Sequence, residues 1–256
     1  MTKISQHQVV RDRIKTGDLK PKQIEELNFW LNISKNGWRG FTSEEWRMAH
    51  IHFKQYSLMY INRSISDLEN KVVVEVGCGP AGILPYLNNT TAIGIDALIY
   101  EYKKMWDLSN DKIEYICSEI ETFRTDIQAD AVICWNVLDH VSDIELATKK
   151  LFDILKPDGE LWFMINLEDT SGSWKVVKGS PDSAHPYRVN AVSISRLLKK
   201  NGFFWKEKVL MKDYLNNRHP VLMAVLGKSI GNKEGQKKIL PKIKQLYSNL
   251  RRSIVP

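Results

Sequence analysis

From Lys71 onward the chain alternates short aliphatic, β-branched runs with helical stretches, and this alternation restricts the possible folds more than any other feature of the sequence. Val72-Val73-Val74-Glu75-Val76 reads as a buried strand closed by Gly77. Further apolar runs fall at 91–95, 113–117, 129–135 and 160–167, with helical stretches at 81–88, 98–106 and 143–155. A strand followed by a helix must cross over before it can pair again, so the runs predict a parallel sheet with helices on both faces. After a polar stretch from 168 to 190, a helix at about 191–200 precedes apolar runs at 203–211 and 221–226. Asn216-Asn217-Arg218-His219-Pro220 between them is turn chemistry and predicts a closing hairpin. The expected fold is α/β: a doubly wound, mostly parallel seven-stranded sheet.

The ends differ from this body. Residues 1–70 read as a helical N-terminal cap, with a helix over Gln23–Leu31 after Pro21 and a longer one from Ser43, as its cap, to about Ile65. The cap is rich in aromatics (Trp30, Trp38, Trp46, Phe53, Tyr56 and Tyr60), suited either to a core against the sheet or to stacking on a planar substrate or sugar ring. The formal charge is +7, and it comes from residues 227–256. Lys228, Lys233, Lys237, Lys238, Lys242, Lys244, Arg251 and Arg252 stand there against Glu234, so the strand-bearing part, 71–226, belongs to a neutral body that offers no basic groove for nucleic acid. Within the tail, 235–254 has the spacing of a basic amphipathic helix, suited to peripheral contact with an anionic membrane surface, to contact with a polyanion, or to packing its apolar stripe on the body. No apolar run is long enough to span a bilayer, and the N-terminus has no signal-like apolar stretch. Cys78, Cys117 and Cys134 are odd in number and lack zinc-site spacing, which fits a reducing, cytoplasmic setting with no structural metal.

The most informative segment is Glu75-Val76-Gly77-Cys78-Gly79-Pro80-Ala81-Gly82. Glycines after a strand let the backbone turn sharply and bring main-chain amides close to a ligand. Asp96, ending the second run, is placed to accept hydrogen bonds from ribose hydroxyls. This much fits a nicotinamide dinucleotide as well as an adenosyl sulfonium. Two residues separate them. Glu75 would repel a pyrophosphate and attract an ammonium, and Pro80 removes an amide that could donate to phosphate.

At this point the sequence resembles class I S-adenosylmethionine-dependent methyltransferases. VVVEVGCGPAG and Gly94-Ile95-Asp96 look like that family's opening motifs, and Ile116-Cys117-Ser118-Glu119-Ile120-Glu121 resembles the segment after its third strand. Ala129–Val141 resembles the fourth strand and following loop, and Leu155–Leu161 the turn into the fifth. The resemblance spans about 71–167 and implies a Rossmann-like methyltransferase fold with S-adenosyl-L-methionine as cofactor. It further implies that Glu75 faces the methionine end and that Gly77 and Gly79 approach ribose and methionine. Asp96 would take the ribose hydroxyls, Glu119 with the Ile120 amide would read adenine, and Trp135 and Asn136 would line the same pocket.

Methyl transfer from a sulfonium is an in-line displacement, so positioning is the main requirement, and a base is needed only for a weak nucleophile such as an alcohol. His140, just after the fourth run, and His185, in the long 168–190 loop, are the candidate catalytic residues. His140 reads equally as a helix-entry residue, and His185 with Tyr187 as a loop anchor. No spacing of His or paired carboxylates asks for a metal. The expected acceptor is a small molecule or saccharide, through a hydroxyl. The alternatives are methylation of nucleic acid, for which the motif after the fourth run is wrong, and a non-catalytic cofactor-binding regulator.

Overall fold

The computed structural model describes residues 19–168, 176–179, 184–211 and 220–229. Its centre is a seven-stranded sheet of β1 (Val72–Val76), β2 (Thr91–Ile95), β3 (Ile113–Ile116), β4 (Ala129–Trp135), β5 (Leu155–Asn166), β8 (Phe203–Met211) and β9 (Val221–Lys228). The order is β3-β2-β1-β4-β5-β9-β8, and a separate ribbon pairs β6 (Val177–Lys178) with β7 (Tyr187–Arg188). The first five strands are parallel, while β9 runs antiparallel to both β5 and β8, which is the expected closing hairpin. The turn chemistry at 216–219 and the basic segment 235–254 lie outside the described residues.

Helices α1 (Pro21–Asn36), α2 (Ser43–Ser57), α3 (Ile99–Met105), α4 (Ile144–Asp153) and α5 (Ala191–Lys200) surround the sheet. Strand side chains alternate between faces. Val74, Val76, Val132, Cys134 and Phe163 pack with Ala147 and Leu151 of α4 and Leu197 and Leu198 of α5. Val73, Ala131, Ile133, Trp135, Trp162 and Met223 face the other way, onto Leu58, Ile61 and Leu68. The cap forms a third core in which Trp30 meets Trp46 and Trp106 edge to face, at 5.3 and 5.8 Å between ring centroids, beside Leu98 and Tyr102. Trp30 and Trp46 are thus cap-to-body packing residues, whereas Tyr56 and Tyr60 are exposed.

Three local expectations need correction. The stretch 81–88 is not an α-helix and holds one 3₁₀ turn, Leu84–Tyr86. Pro85 lacks the amide that a helix would use there and disfavours helical geometry at Leu84, and Asn89 turns the chain at φ +48°. The second cap helix is shorter than its pattern suggests. Thr42, one residue before Ser43, caps it by accepting from the Glu45 amide while the Glu45 carboxylate accepts from the Thr42 amide. The helix ends at Ser57, continues as a 3₁₀ turn over Leu58–Ile61, and stops where Asn62 adopts φ 52°. Strand β5 begins at Leu155 rather than 160, because Ala129 pairs with Leu155 ahead of a register shift.

Candidate active site

The site lies where β1, β2, β3 and β4 end side by side. At the end of β1 the backbone turns through Gly77 (φ +63°) and Gly79 (φ +55°). A Cβ on Gly77 would stand 2.4 Å from Val137 Cγ2, so the loops after β1 and β4 approach each other only through a glycine. At Gly79 the added atom meets nothing within 4 Å, so the left-handed backbone is what requires glycine there. The Gly79 amide donates to Asp96 Oδ2 at 2.9 Å and the Leu98 amide to Asp96 Oδ1 at 2.8 Å, fixing the carboxylate beside the turn. Burial pushes the Asp96 carboxyl up to about 6, even though both amides favour its ionised form.

Glu75 is 1% exposed. Its Oε2 accepts from the Ile83 amide at 2.9 Å, and Lys54 Nζ of α2 donates to Oε1 at 3.2 Å. Gly82 permits this, since a Cβ there would lie 2.8 Å from Glu75 Oε2. The carboxylate is therefore satisfied by an amide and by an ammonium supplied from the cap. Lys54 was not legible as a partner, because the contact spans 21 residues and two elements.

Glu119 sits after β3 but is engaged by the start of the cap: Lys20 Nζ and Gln23 Nε2 donate to it, and Lys22 Nζ lies 3.5 Å away. The Ile120 side chain is in the core. Glu121 binds the next loop, accepting from the Ser142 and Asp143 amides at 2.6 and 3.2 Å. Asn136 adopts φ 56°, donates its amide to Met164 O and accepts from the Asn166 amide, so it joins the ends of β4 and β5. Trp135 is buried on the face carrying Leu58 and Met164, and its indole N–H has no hydrogen-bond partner among the described residues.

His140 and His185 come together. Their ring centroids are 4.2 Å apart, with planes tilted by 52°. Tyr187 holds the two segments in place: its amide donates to Asp139 O and its hydroxyl to Ser142 O at 2.8 Å. Glu26 Oε2 of α1 lies 3.7 Å from His140 Nδ1, and Lys22 Nζ donates to His140 O at 2.9 Å. Asp139 is 6% exposed, with Oδ1 4.0 Å from His140 Nε2, and that oxygen has no hydrogen-bond partner among the described residues. Glu26 and Lys22 carried no signal in the sequence, since nothing in a cap helix specifies which loop it will cover.

The site fits an adenosyl sulfonium cofactor on its own geometry. Asp96 spends one lone pair of each oxygen on the backbone and has others left that can accept from hydroxyls, whereas Glu75 is already paired with the Lys54 ammonium. Comparison with known proteins agrees. The family model described as a methyltransferase domain matches residues 48–204. A ubiquinone biosynthesis O-methyltransferase of Coxiella burnetii is 30% identical over 146 residues, covering 54% of this chain and 60% of that protein. The chain thus spans about three-fifths of the length of that curated relative. A complex of the Haloferax volcanii Trm112 methyltransferase activator with a methyltransferase matches at TM-score 0.60, with 15% identity, over 80% of this chain and 98% of that one. The Burkholderia thailandensis 1,6-didemethyltoxoflavin-N1-methyltransferase, with S-adenosylhomocysteine bound, matches at TM-score 0.53, with 13% identity, over 83% and 92%. At these identities the structures speak for the fold alone, while the family match covers more than half of the chain. Sheet order, glycine turn, Asp96 and family match together place this chain in the class I S-adenosylmethionine-dependent methyltransferase family.

Proposed function

We propose that the protein transfers the methyl group of S-adenosylmethionine to a hydroxyl of a small-molecule or saccharide acceptor. The observation that carries this reading is the His140–His185 pair, with the buried carboxylate of Asp139 4.0 Å from His140 Nε2 in the loop after β4. An amine acceptor is nucleophilic once neutral and needs mainly orientation. A hydroxyl needs help with its proton, and a pair of imidazoles can supply that. As the acceptor oxygen bonds to the methyl carbon, the carbon–sulfur bond breaks, the sulfonium becomes a thioether, and the hydroxyl proton passes by way of the histidine pair to solvent. Glu75, Asp96 and the Gly77–Gly79 turn hold the cofactor; Trp135, Asn136, Glu119 and Ile120 contribute by shaping the loops around it.

The ubiquinone-pathway relatives, named as O-methyltransferases, support oxygen as the receiving atom without specifying the acceptor. In this reading the basic segment 235–254 makes peripheral contact with an anionic membrane surface that carries the acceptor. No helix among the described residues is long and apolar enough to cross a membrane. The test is transfer of labelled methyl from S-adenosylmethionine to pools of catechols, sugars and amines. Turnover on a hydroxyl pool that falls about 10²–10⁴-fold in His140→Ala and His185→Ala, with S-adenosylhomocysteine affinity kept, is expected. Turnover confined to amines, or undiminished in both variants, would overturn the hydroxyl assignment.

A further inference from the structure

We infer that Asp139, His140 and His185 form a binding site for one divalent transition-metal ion, which holds and acidifies the acceptor oxygen. The inference rests on the proposed reading of this pocket as the acceptor site and specifies how the histidine pair acts there. One ligand atom from each of the three side chains lies within 4.8 Å of the other two. A bound ion would stand about 2.0–2.2 Å from such nitrogens and oxygens, which sets ligand atoms roughly 3–4 Å from one another. Small side-chain rotations would close the difference.

Three independent features favour a cation over a simple imidazole pair. First, Asp139 Oδ1 is buried without a hydrogen-bond partner among the described residues, and His140 Nε2 stays 4.0 Å from it. A carboxylate oxygen left in that state costs stability unless something positive binds it. Second, the two rings stand 4.2 Å apart and tilted by 52°, side by side rather than face to face. Third, Glu26 Oε2 stands 3.7 Å from His140 Nδ1, near enough that a small movement would let this carboxylate orient a metal-binding imidazole. Lys22 is the opposing charge, and its ammonium donates to the His140 carbonyl and lies 3.5 Å from Glu119.

Two imidazoles and one carboxylate suit zinc, cobalt, nickel, iron(II) or manganese(II) better than calcium or magnesium, and they leave coordination positions for an acceptor oxygen or a pair of vicinal oxygens. A hydroxyl bound there would lose its proton to solvent near neutral pH, as metal-bound water does. The oxygen would then attack the methyl carbon as the carbon–sulfur bond breaks.

The experiment is equilibrium dialysis of the untagged, full chain, first stripped with a chelator, against zinc or cobalt. Cobalt's visible absorption spectrum serves as a second readout. One equivalent bound by the wild-type chain is expected, with affinity at least about tenfold weaker in Asp139→Asn and His185→Ala. His52→Ala, on the exposed side of α2, should bind as the wild type does. A vicinal diol or catechol should alter the cobalt spectrum. No saturable binding, or equal binding in Asp139→Asn and His185→Ala, would overturn the site. S-adenosylhomocysteine affinity in the same variants tests the underlying reading separately and should be unchanged. Methyl transfer lost in His185→Ala while the wild-type chain binds no metal would refute the ion and keep the pair as a metal-free base.

Discussion

Acidification should weaken cofactor binding through Asp96 in a way that an ordinary aspartate would not allow. Its carboxyl is pushed up to about 6 by burial, and its two oxygens already accept from the Gly79 and Leu98 amides. In the proposed function ribose hydroxyls take the remaining lone pairs of the ionised group, and a proton on either oxygen removes one of them. With a titration point of about 6, the ionised fraction falls from about nine-tenths at pH 7 to about one-tenth at pH 5, so the Kd should rise about tenfold, ~1.4 kcal/mol. An aspartate at its reference value of about 3.9 would stay more than about nine-tenths ionised at pH 5 and leave affinity flat. The assay is calorimetric titration of S-adenosylhomocysteine into the full chain between about pH 5 and pH 7. Asp96→Asn should bind more weakly by about 1.5–3 kcal/mol, the scale for a hydrogen bond to a charged group, and lose the pH dependence. The sign for stability is the opposite of a salt-bridged acid's. Because the folded value exceeds the unfolded one, the stabilising contribution is full below about 3.8 and is lost as pH rises through about 6. A wild-type Kd that is flat over this range, or an Asp96→Asn variant as steep as the wild type, would refute the reasoning.

Two further outcomes are expected around the same turn. Lys54→Met leaves the 1%-exposed Glu75 carboxylate with the Ile83 amide but no counter-ion, and should cost about 3–5 kcal/mol in denaturant unfolding. Adding Glu75→Gln should recover much of that loss, and a double variant as unstable as Lys54→Met would show that the ion pair is not the cause. Gly77→Ala combines a left-handed backbone with a 2.4 Å contact to Val137, so it should lose about 1–2 kcal/mol from the backbone and about 1–3 from the clash. Gly79→Ala should show only the backbone part, and Val137→Ala should relieve Gly77→Ala but not Gly79→Ala. Equal losses in the two alanine variants, by thermal unfolding, would count against the close approach of the two loops.

The alternation of strands and helices, the closing hairpin and the glycine turn with Asp96 were legible in the sequence because each is local. β-branched runs, amphipathic spacing and glycine punctuation act over a few residues, and the parallel order follows from crossover connections. Local rules also failed locally. The 81–88 stretch looked helical by its apolar content, but Pro85 and the Asn89 turn leave a single 3₁₀ turn. Ser43 looked like a cap, but Thr42 has the reciprocal bonds with Glu45.

Partnerships between distant side chains could not be read in the same way. Asn136 follows a strand and resembles a pocket residue, yet its bonds to Met164 and Asn166 depend on β5 lying beside β4. Glu119 is approached by Lys20, Lys22 and Gln23 because α1 crosses the loop after β3. His140 and His185 were each visible as single candidates, but their contact near the buried Asp139 exists because Tyr187 fastens one loop to the other. Sequence by itself determined the sheet, its glycine turn and the placement of Glu75 and Asp96 beside that turn, since backbone geometry and hydrophobic period are short-range properties. Only the tertiary structure decided which charges meet across the loops, because ion pairs and ligand sets depend on distances between segments that no local pattern encodes.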